Sequence, residues 1–257
     1  MDLSEKVLRL KPAGMAAEEW AARLELAALY RLFDWLGWTE LIYNHITLRV
    51  PGPHKHYLIN PYGLWYSEVT ASNLVKVDAE GEALESTLHK VNKAGFVIHG
   101  AIHAARPDAH CVIHTHTTAG MAIACKEGGL RHDNFYSALL YDQVAYHDFE
   151  GISTVLDEQP RLVRSLGSKA ILILKNHGLL AVGSCPAEAF QMYWTAQRAC
   201  EVQQAADSMP GANIPVPRPV LEAIPAQAAV FRAGPRPGGL AFDGVLRRAG
   251  IRYEDLV

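Results

Sequence analysis

Chemistry in this chain concentrates in its histidines, of which there are 12 in 257 residues. His114-Thr115-His116 ends an apolar run that begins at Cys111. In an extended strand, residues two apart point to the same face. The two imidazoles would therefore stand side by side where the strand leaves the core. Such a pair can close on one divalent cation; the plainer alternative is two hydrogen-bonded histidines at a strand end. His177 stands between Asn176 and Gly178, in a break between the apolar runs 170–174 and 179–182. Packing explains a histidine there poorly, and Gly178 permits a turn that a larger residue would resist. Taken together, His114, His116 and His177 would leave one or more positions open on a shared ion. That is the layout of a catalytic metal centre, because structural centres are closed.

Other polar groups offer weaker chemistry. His99 and His103 lie four apart, on one face of a helix expected over 92–105. A helical HxxxH pair can hold a metal, but no acidic residue stands between these two. A supporting or core-edge role is the other reading. His54 and His56, beside Pro53 and Lys55, are expected in a solvated loop. In Tyr146-His147-Asp148-Phe149-Glu150, His147 is a candidate acid–base group, since free imidazole titrates near pH ~6.5. Asp148 or Glu150 would orient it or cap the following helix. Cys111, Cys125, Cys185 and Cys200 are scattered without CxxC spacing and read as reduced thiols.

The elements that must position these groups are legible as periodicities. Apolar residues at helical spacing predict a helix over 16–36, stopped by Gly37. Strands are expected over 42–50 and 57–60, each closed by a Pro/Gly turn. A turn at 78–81 makes 74–88 a hairpin. Strands at 111–115, 170–174 and 179–182 follow, with helices over 118–125 and 187–206. This alternation predicts an α/β/α layered domain over 1–206. Beyond it, Pro210, Pro215, Pro217, Pro219, Pro225, Pro235 and Pro237 punctuate 207–257. That stretch reads as an arm, extended over 207–240, with a short helix within 241–257, packed on its own or a neighbouring subunit.

Composition sets the outer limits. A 49% hydrophobic, 20% charged chain suits a folded globule. With 24 Lys+Arg against 27 Asp+Glu, the net charge of −3 argues against a strongly basic nucleic-acid binder. No apolar run approaches the ~20 residues that span a bilayer. The charged N-terminus lacks a signal-peptide core, so a cytoplasmic location is expected.

Five runs carry a resemblance: YNHITLRVPG (43–52), INPYGLWYSEVTASNLVKVD (59–78), KAGFVIHGAIHAARPDAHCVIHTHTTAG (93–120), YHDFEG (146–151) and ILILKNHGLLAVG (171–183). Together they resemble the class II aldolase/adducin family. The resemblance implies an α/β/α sandwich around a mainly antiparallel sheet. It implies a divalent metal on the residues matching His114, His116 and His177: zinc first, with manganese, cobalt or iron as alternatives. It also implies a homotetramer with active sites between neighbouring subunits. Family members include sugar-phosphate aldolases, an epimerase, a decarboxylase, iron-dependent aromatic oxygenases and the non-enzymatic head of adducin.

The departures narrow this. Sugar-phosphate aldolases of the family carry Ser-Ser-Glu ahead of the histidine matching His99; this chain has Lys93-Ala94-Gly95. Neither phosphate-binding hydroxyls nor the acid–base Glu is available there. The Thr-Gly of the phosphate site is Tyr62-Gly63 here, leaving Gly63 as a substrate-side position. Lys93 could pair with a substrate carboxylate, or simply face solvent. Asn44 matches a substrate-contacting amide, or caps a turn. Tyr136 and Tyr141 are candidate proton donors from a neighbouring subunit. The expected activity is a metal-dependent carbon–carbon lyase, of aldolase or decarboxylase type, for a small non-phosphorylated oxo- or hydroxy-carboxylate. Decarboxylation fits the missing Glu, because loss of CO2 generates a carbanion without a base. The alternatives are an iron-dependent oxygenase of an aromatic acid and an adducin-like non-catalytic binding module. Neither a nucleic acid nor a membrane is expected as a partner.

Overall fold

The apolar runs become the centre of a mixed sheet covered on both faces. The computed structural model describes residues 5–151 and 156–257. In chain order the elements are α1 (Glu5–Leu8), α2 (Ala17–Trp35), β1 (His45–Arg49), β2 (Tyr57–Ile59), β3 (Val75–Val77) and α3 (Lys93–Ala105). Next come β4 (Cys111–Thr115), α4 (Thr118–Ala124), α5 (Phe135–Leu139), β5 (Val144–His147), α6 (Gln159–Leu166), β6 (Ile171–Leu174) and β7 (Gly178–Gly183). The chain closes with α7 (Pro186–Asp207), α8 (Arg218–Arg232) and α9 (Gly239–Ala249). Strand order across the sheet is β3-β2-β1-β4-β7-β6-β5. Every pairing is antiparallel except β5 with β6.

Side-chain alternation explains the two covering layers. Cys111 and Ile113 of β4, Ile171 and Ile173 of β6, and Leu179 and Ala181 of β7 join one core. That core also holds Trp20, Leu24 and Leu32 of α2, Ile123 of α4, and Phe190 and Tyr193 of α7. Val112, Leu172, Leu174, Leu180 and Val182 point the other way, onto Ile98 and Ile102 of α3 and Leu162 and Leu166 of α6. A strand buried on both faces reads as a continuous apolar run, as these do. The result is the expected α/β/α sandwich around a mainly antiparallel sheet.

A buried charge cluster ties α2 to the 74–88 hairpin. The Arg23 guanidinium is buried, pairs with Glu19 at 3.0 Å and Glu85 at 2.8 Å, and donates to the Leu74 carbonyl at 2.8 Å. Burial by itself would raise the Glu19 pKa, but Lys76 and Arg23 outweigh it and hold the carboxyl below its ordinary range.

Two expectations need correction. The stretch 207–240 is not wholly extended, because Arg218–Arg232 form α8. Pro219 sits in its first turn, where a missing N–H costs nothing, and good helix formers outweigh the interior Pro225. The segment after it packs on the chain's own core. Phe242 and Leu246 of α9, with Tyr253 and Leu256, are buried in the main core, and Ala71 N–H donates to the Leu256 carbonyl at 2.6 Å. The strand expected from residue 42 starts only at His45, after a turn in which Leu41 has a φ of +48°.

Candidate metal centre

Pairing of β4 with β7 places the end of one strand beside the start of the other. Thr115 lies opposite Leu179, and His114 opposite Leu180. The turn entering β7 carries His177, whose N–H donates to the Leu174 carbonyl at 3.0 Å. Its left-handed residue is Asn176, with a φ of +57°. Gly178 is needed for another reason than the turn geometry expected. A Cβ there would come 2.5 Å from the Thr115 carbonyl oxygen and 3.1 Å from His116 Cδ2. Glycine thus lets the two strand ends, and their imidazoles, approach.

His114, His116 and His177 do converge. Their ligand nitrogens all lie within 4.8 Å of one another. His114 Nε2 and His116 Nε2 are 2.9 Å apart, and the His177 ring centroid is 4.8 and 4.9 Å from theirs. The geometry suits a small ion: tetrahedral metal–imidazole bonds of ~2.0–2.1 Å imply nitrogens about 3.3 Å apart. His114 Nδ1–H donates to the Leu179 carbonyl at 3.0 Å, which leaves its Nε2 lone pair facing the other rings. Burial drives the pKa of His114 well below normal; burial, then His116, lowers His177 to about 4; burial also lowers His116. All three are neutral near pH 7, the state in which imidazole binds metal. The donor set therefore fits a divalent cation.

The chain around the triad is held by polar side chains. Asn44 Oδ1 accepts the His116 N–H at 3.1 Å, and its Nδ2 donates to the Trp38 carbonyl at 3.3 Å. Thr117 accepts from Gly120 N–H at 3.3 Å and donates to Gln197 at 2.6 Å, fixing α4 behind His116. The triad opens into a cavity of about 530 Å³, with Tyr43 and Phe149 half exposed among its lining residues.

A second histidine set lies beside the first and behaves differently. His45, on β1, sits opposite His114 in the sheet register. Its Nδ1 is 2.9 Å from His99 Nε2; His99 Nδ1 is 2.8 Å from Thr47 Oγ1; Thr47 Oγ1 is 2.7 Å from His103 Nε2; His103 Nδ1 is 2.8 Å from the Ala109 carbonyl. The Tyr57 ring stacks on His103 at 4.6 Å. Burial lowers His45 and His103 to about 3 and His99 well below normal. The His99/His103 pair is thus a supporting row whose nitrogens are all engaged. His45 was invisible as a site residue in the sequence. Its signal was the polar pair His45 and Thr47 on one face of an otherwise apolar strand. His45 also fills the room left at Gly95, where a Cβ would lie 2.4 Å from its Cδ2.

The remaining sequence candidates scatter. Asn44 is buried behind His116, with its amide engaged by backbone. Gly63 is exposed with a φ of +107°, next to Tyr62, which lines the cavity. Lys93 opens α3, but its side chain lies outside the described residues. Asn92 caps that helix by accepting the Gly95 N–H at 3.2 Å. His147 stands outside the main cavity, with Nδ1 3.0 Å from Ser165 Oγ and Nε2 3.3 Å from Glu158. Asp148 pairs with Lys175 and Glu150 with Arg161. Tyr136 packs against the core with Arg198 over its ring at 5.8 Å, away from the cavity of its own chain. His54 is exposed, as expected for a loop.

A two-layered helical cover on a mainly antiparallel sheet, with three imidazoles at one strand end, defines the class. The sequence matches the family described as Class II Aldolase and Adducin N-terminal domain over residues 24–204, and the chain belongs to that family. An aldolase II superfamily protein from Pseudomonas syringae is 42% identical, with a TM-score of 0.86 over 91% of this chain and 94% of that one. The L-fuculose 1-phosphate aldolase of Glaciozyma antarctica PI12 is 29% identical, with a TM-score of 0.78 over 96% and 98%. Alpha-adducin of Rattus norvegicus is 50% identical over 184 residues, which is 70% of this chain and 25% of adducin. Among the described residues no helix is long and apolar enough to cross a membrane.

Proposed function

We propose that the chain is a metal-dependent carbon–carbon lyase acting on a small oxo- or hydroxy-carboxylate without phosphate. The observation that carries this is the open donor set of His114, His116 and His177 at the floor of a cavity. Three neutral ligands leave a divalent ion its full charge, so when bound it supplies Lewis-acid stabilisation of an enolate or enediolate. Zinc is the first choice, with manganese, cobalt or iron as alternatives. The chain's own residues set the substrate class. Gly95 offers no carboxylate for proton transfer, and Tyr62-Gly63 no hydroxyl pattern for phosphate. Aldol cleavage and decarboxylation both remain compatible, and decarboxylation needs no base to form the carbanion. The N-terminus of α3 adds a favourable end for a carboxylate, with Lys93 proposed to pair with it.

His147 lies one layer back and is proposed as an acid–base group only through movement of the Phe149 segment. Tyr136 is proposed to act across a subunit boundary, in a homotetramer whose sites lie between neighbours, in the cytoplasm. The reading is tested by turnover of a panel of hydroxy- and oxo-carboxylates with metal-loaded protein. Cleavage or decarboxylation that is lost in His114→Ala supports it. Faster turnover of a phosphosugar than of any carboxylate contradicts it. A second reading, a non-catalytic adducin-like module, draws on the extent of identity to alpha-adducin. It predicts metal binding without turnover of any panel member.

A further inference from the structure

The row behind the cavity permits only one arrangement of its protons. A carbonyl only accepts, so His103 must donate from Nδ1–H to Ala109. Buried and neutral, His103 then has a bare Nε2, which must accept the single hydroxyl proton of Thr47. With that proton committed, Thr47 Oγ1 can only accept from His99, so His99 carries Nδ1–H and a bare Nε2. His99 Nε2 in turn accepts from His45 Nδ1–H. Each link forces the next, and the last consequence falls on His45 Nε2, which is left as a lone pair. His45 lines the same cavity as the triad, and its Nε2 has no hydrogen-bond partner among the described residues. The ring can occupy this place because residue 95 is glycine; a Cβ there would come 2.5 Å from that nitrogen.

We infer that His45 Nε2 is a fixed hydrogen-bond acceptor in the cavity wall, and that it selects a ligand presenting a hydroxyl there. An anionic oxygen at that point would meet a lone pair instead of a donor. This deepens the proposed function: the carboxylate substrate would carry a hydroxyl beyond the atoms that chelate the ion. His45 is thus a specificity-determining residue, and Thr47, which does not line the cavity, a positioning residue acting through His99.

Two measurements test this. The first needs no ligand: a long-range proton–nitrogen correlation spectrum of the whole protein, with the imidazoles assigned. His45, His99 and His103 should all appear as Nδ1–H tautomers with unprotonated Nε2. A protonated His45 Nε2 overturns the inference. The second compares glycerate with lactate, which lacks only the terminal hydroxyl, by calorimetry on zinc-loaded protein. Glycerate should bind about three- to tenfold more tightly, the range of one net hydrogen bond. The advantage should vanish in His45→Phe, fall in Thr47→Val and return in Thr47→Ser. Equal binding by the wild type, or an advantage that survives His45→Phe, overturns the inference. If neither acid binds, the carboxylate reading of the cavity fails, and the spectrum alone decides the assignment of His45.

Discussion

The two histidine groups share a residue type and lie side by side, with His45 opposite His114 in the sheet, yet they have opposite characters. In the row formed by His99, Thr47 and His103, every ring nitrogen meets a complementary group, and the line ends on a backbone carbonyl. In the triad, one ring is oriented by the Leu179 carbonyl, and its remaining lone pair faces other imidazoles. A satisfied row has nothing left to give a cation. A set of ring nitrogens that converge on one another is completed by one. What separates ligand from scaffold is therefore which nitrogens are already committed, a distinction that sequence spacing does not reveal.

Substitutions should break or sharpen that contrast. The largest effect is expected in the triad: His114→Ala combined with His116→Ala should lower metal affinity by more than about 100-fold, beyond what loss of an orienting partner costs. Metal analysis of the purified variant and wild type checks this. Within the row, Thr47→Val should cost about 1–3 kcal/mol for each ring nitrogen it strands, read from urea unfolding, while metal content stays at the wild-type level. Gly95→Ala pushes a methyl group into the His45 ring and should cost about 1–3 kcal/mol by overpacking, measured the same way.

The most gradual effect is in pH dependence. The folded His103 pKa is about 3, held down chiefly by burial, whereas the unfolded side chain titrates near ~6.5. Between these values the unfolded chain binds more protons. Stability should thus be full above pH ~6.5 and fall as pH drops towards 3. His103→Gln should shallow that slope by about 1.4 kcal/mol per pH unit, one proton's worth, in unfolding curves of metal-free protein. An unchanged slope would mean that His103 is not buried as a neutral ring.

Much of this architecture was legible because periodicity reports burial directly. The α2, α3 and α7 helices and the strands β4, β6 and β7 follow from apolar spacing, since each buries a defined face. β5 was missed because Val144 and Ala145 are only partly buried, Tyr146 is exposed, and its parallel pairing with β6 has no local signature. α8 was hidden by prolines that a helix tolerates in its first turn. The triad could be read because HTH and NHG each sit at the end of an apolar strand. His45 could not, because its importance depends on β1 lying beside β4 and on the absence of a side chain at residue 95. Such cross-strand facts are set by register, and register is not written in any one segment.

The triad is tested most directly by anomalous diffraction from crystals of the protein soaked in zinc. One peak per chain is predicted, bonded to imidazole nitrogens of His114, His116 and His177 at ~2.0–2.1 Å. A peak between His99 and His103, or none within bonding distance of His177, would contradict the account.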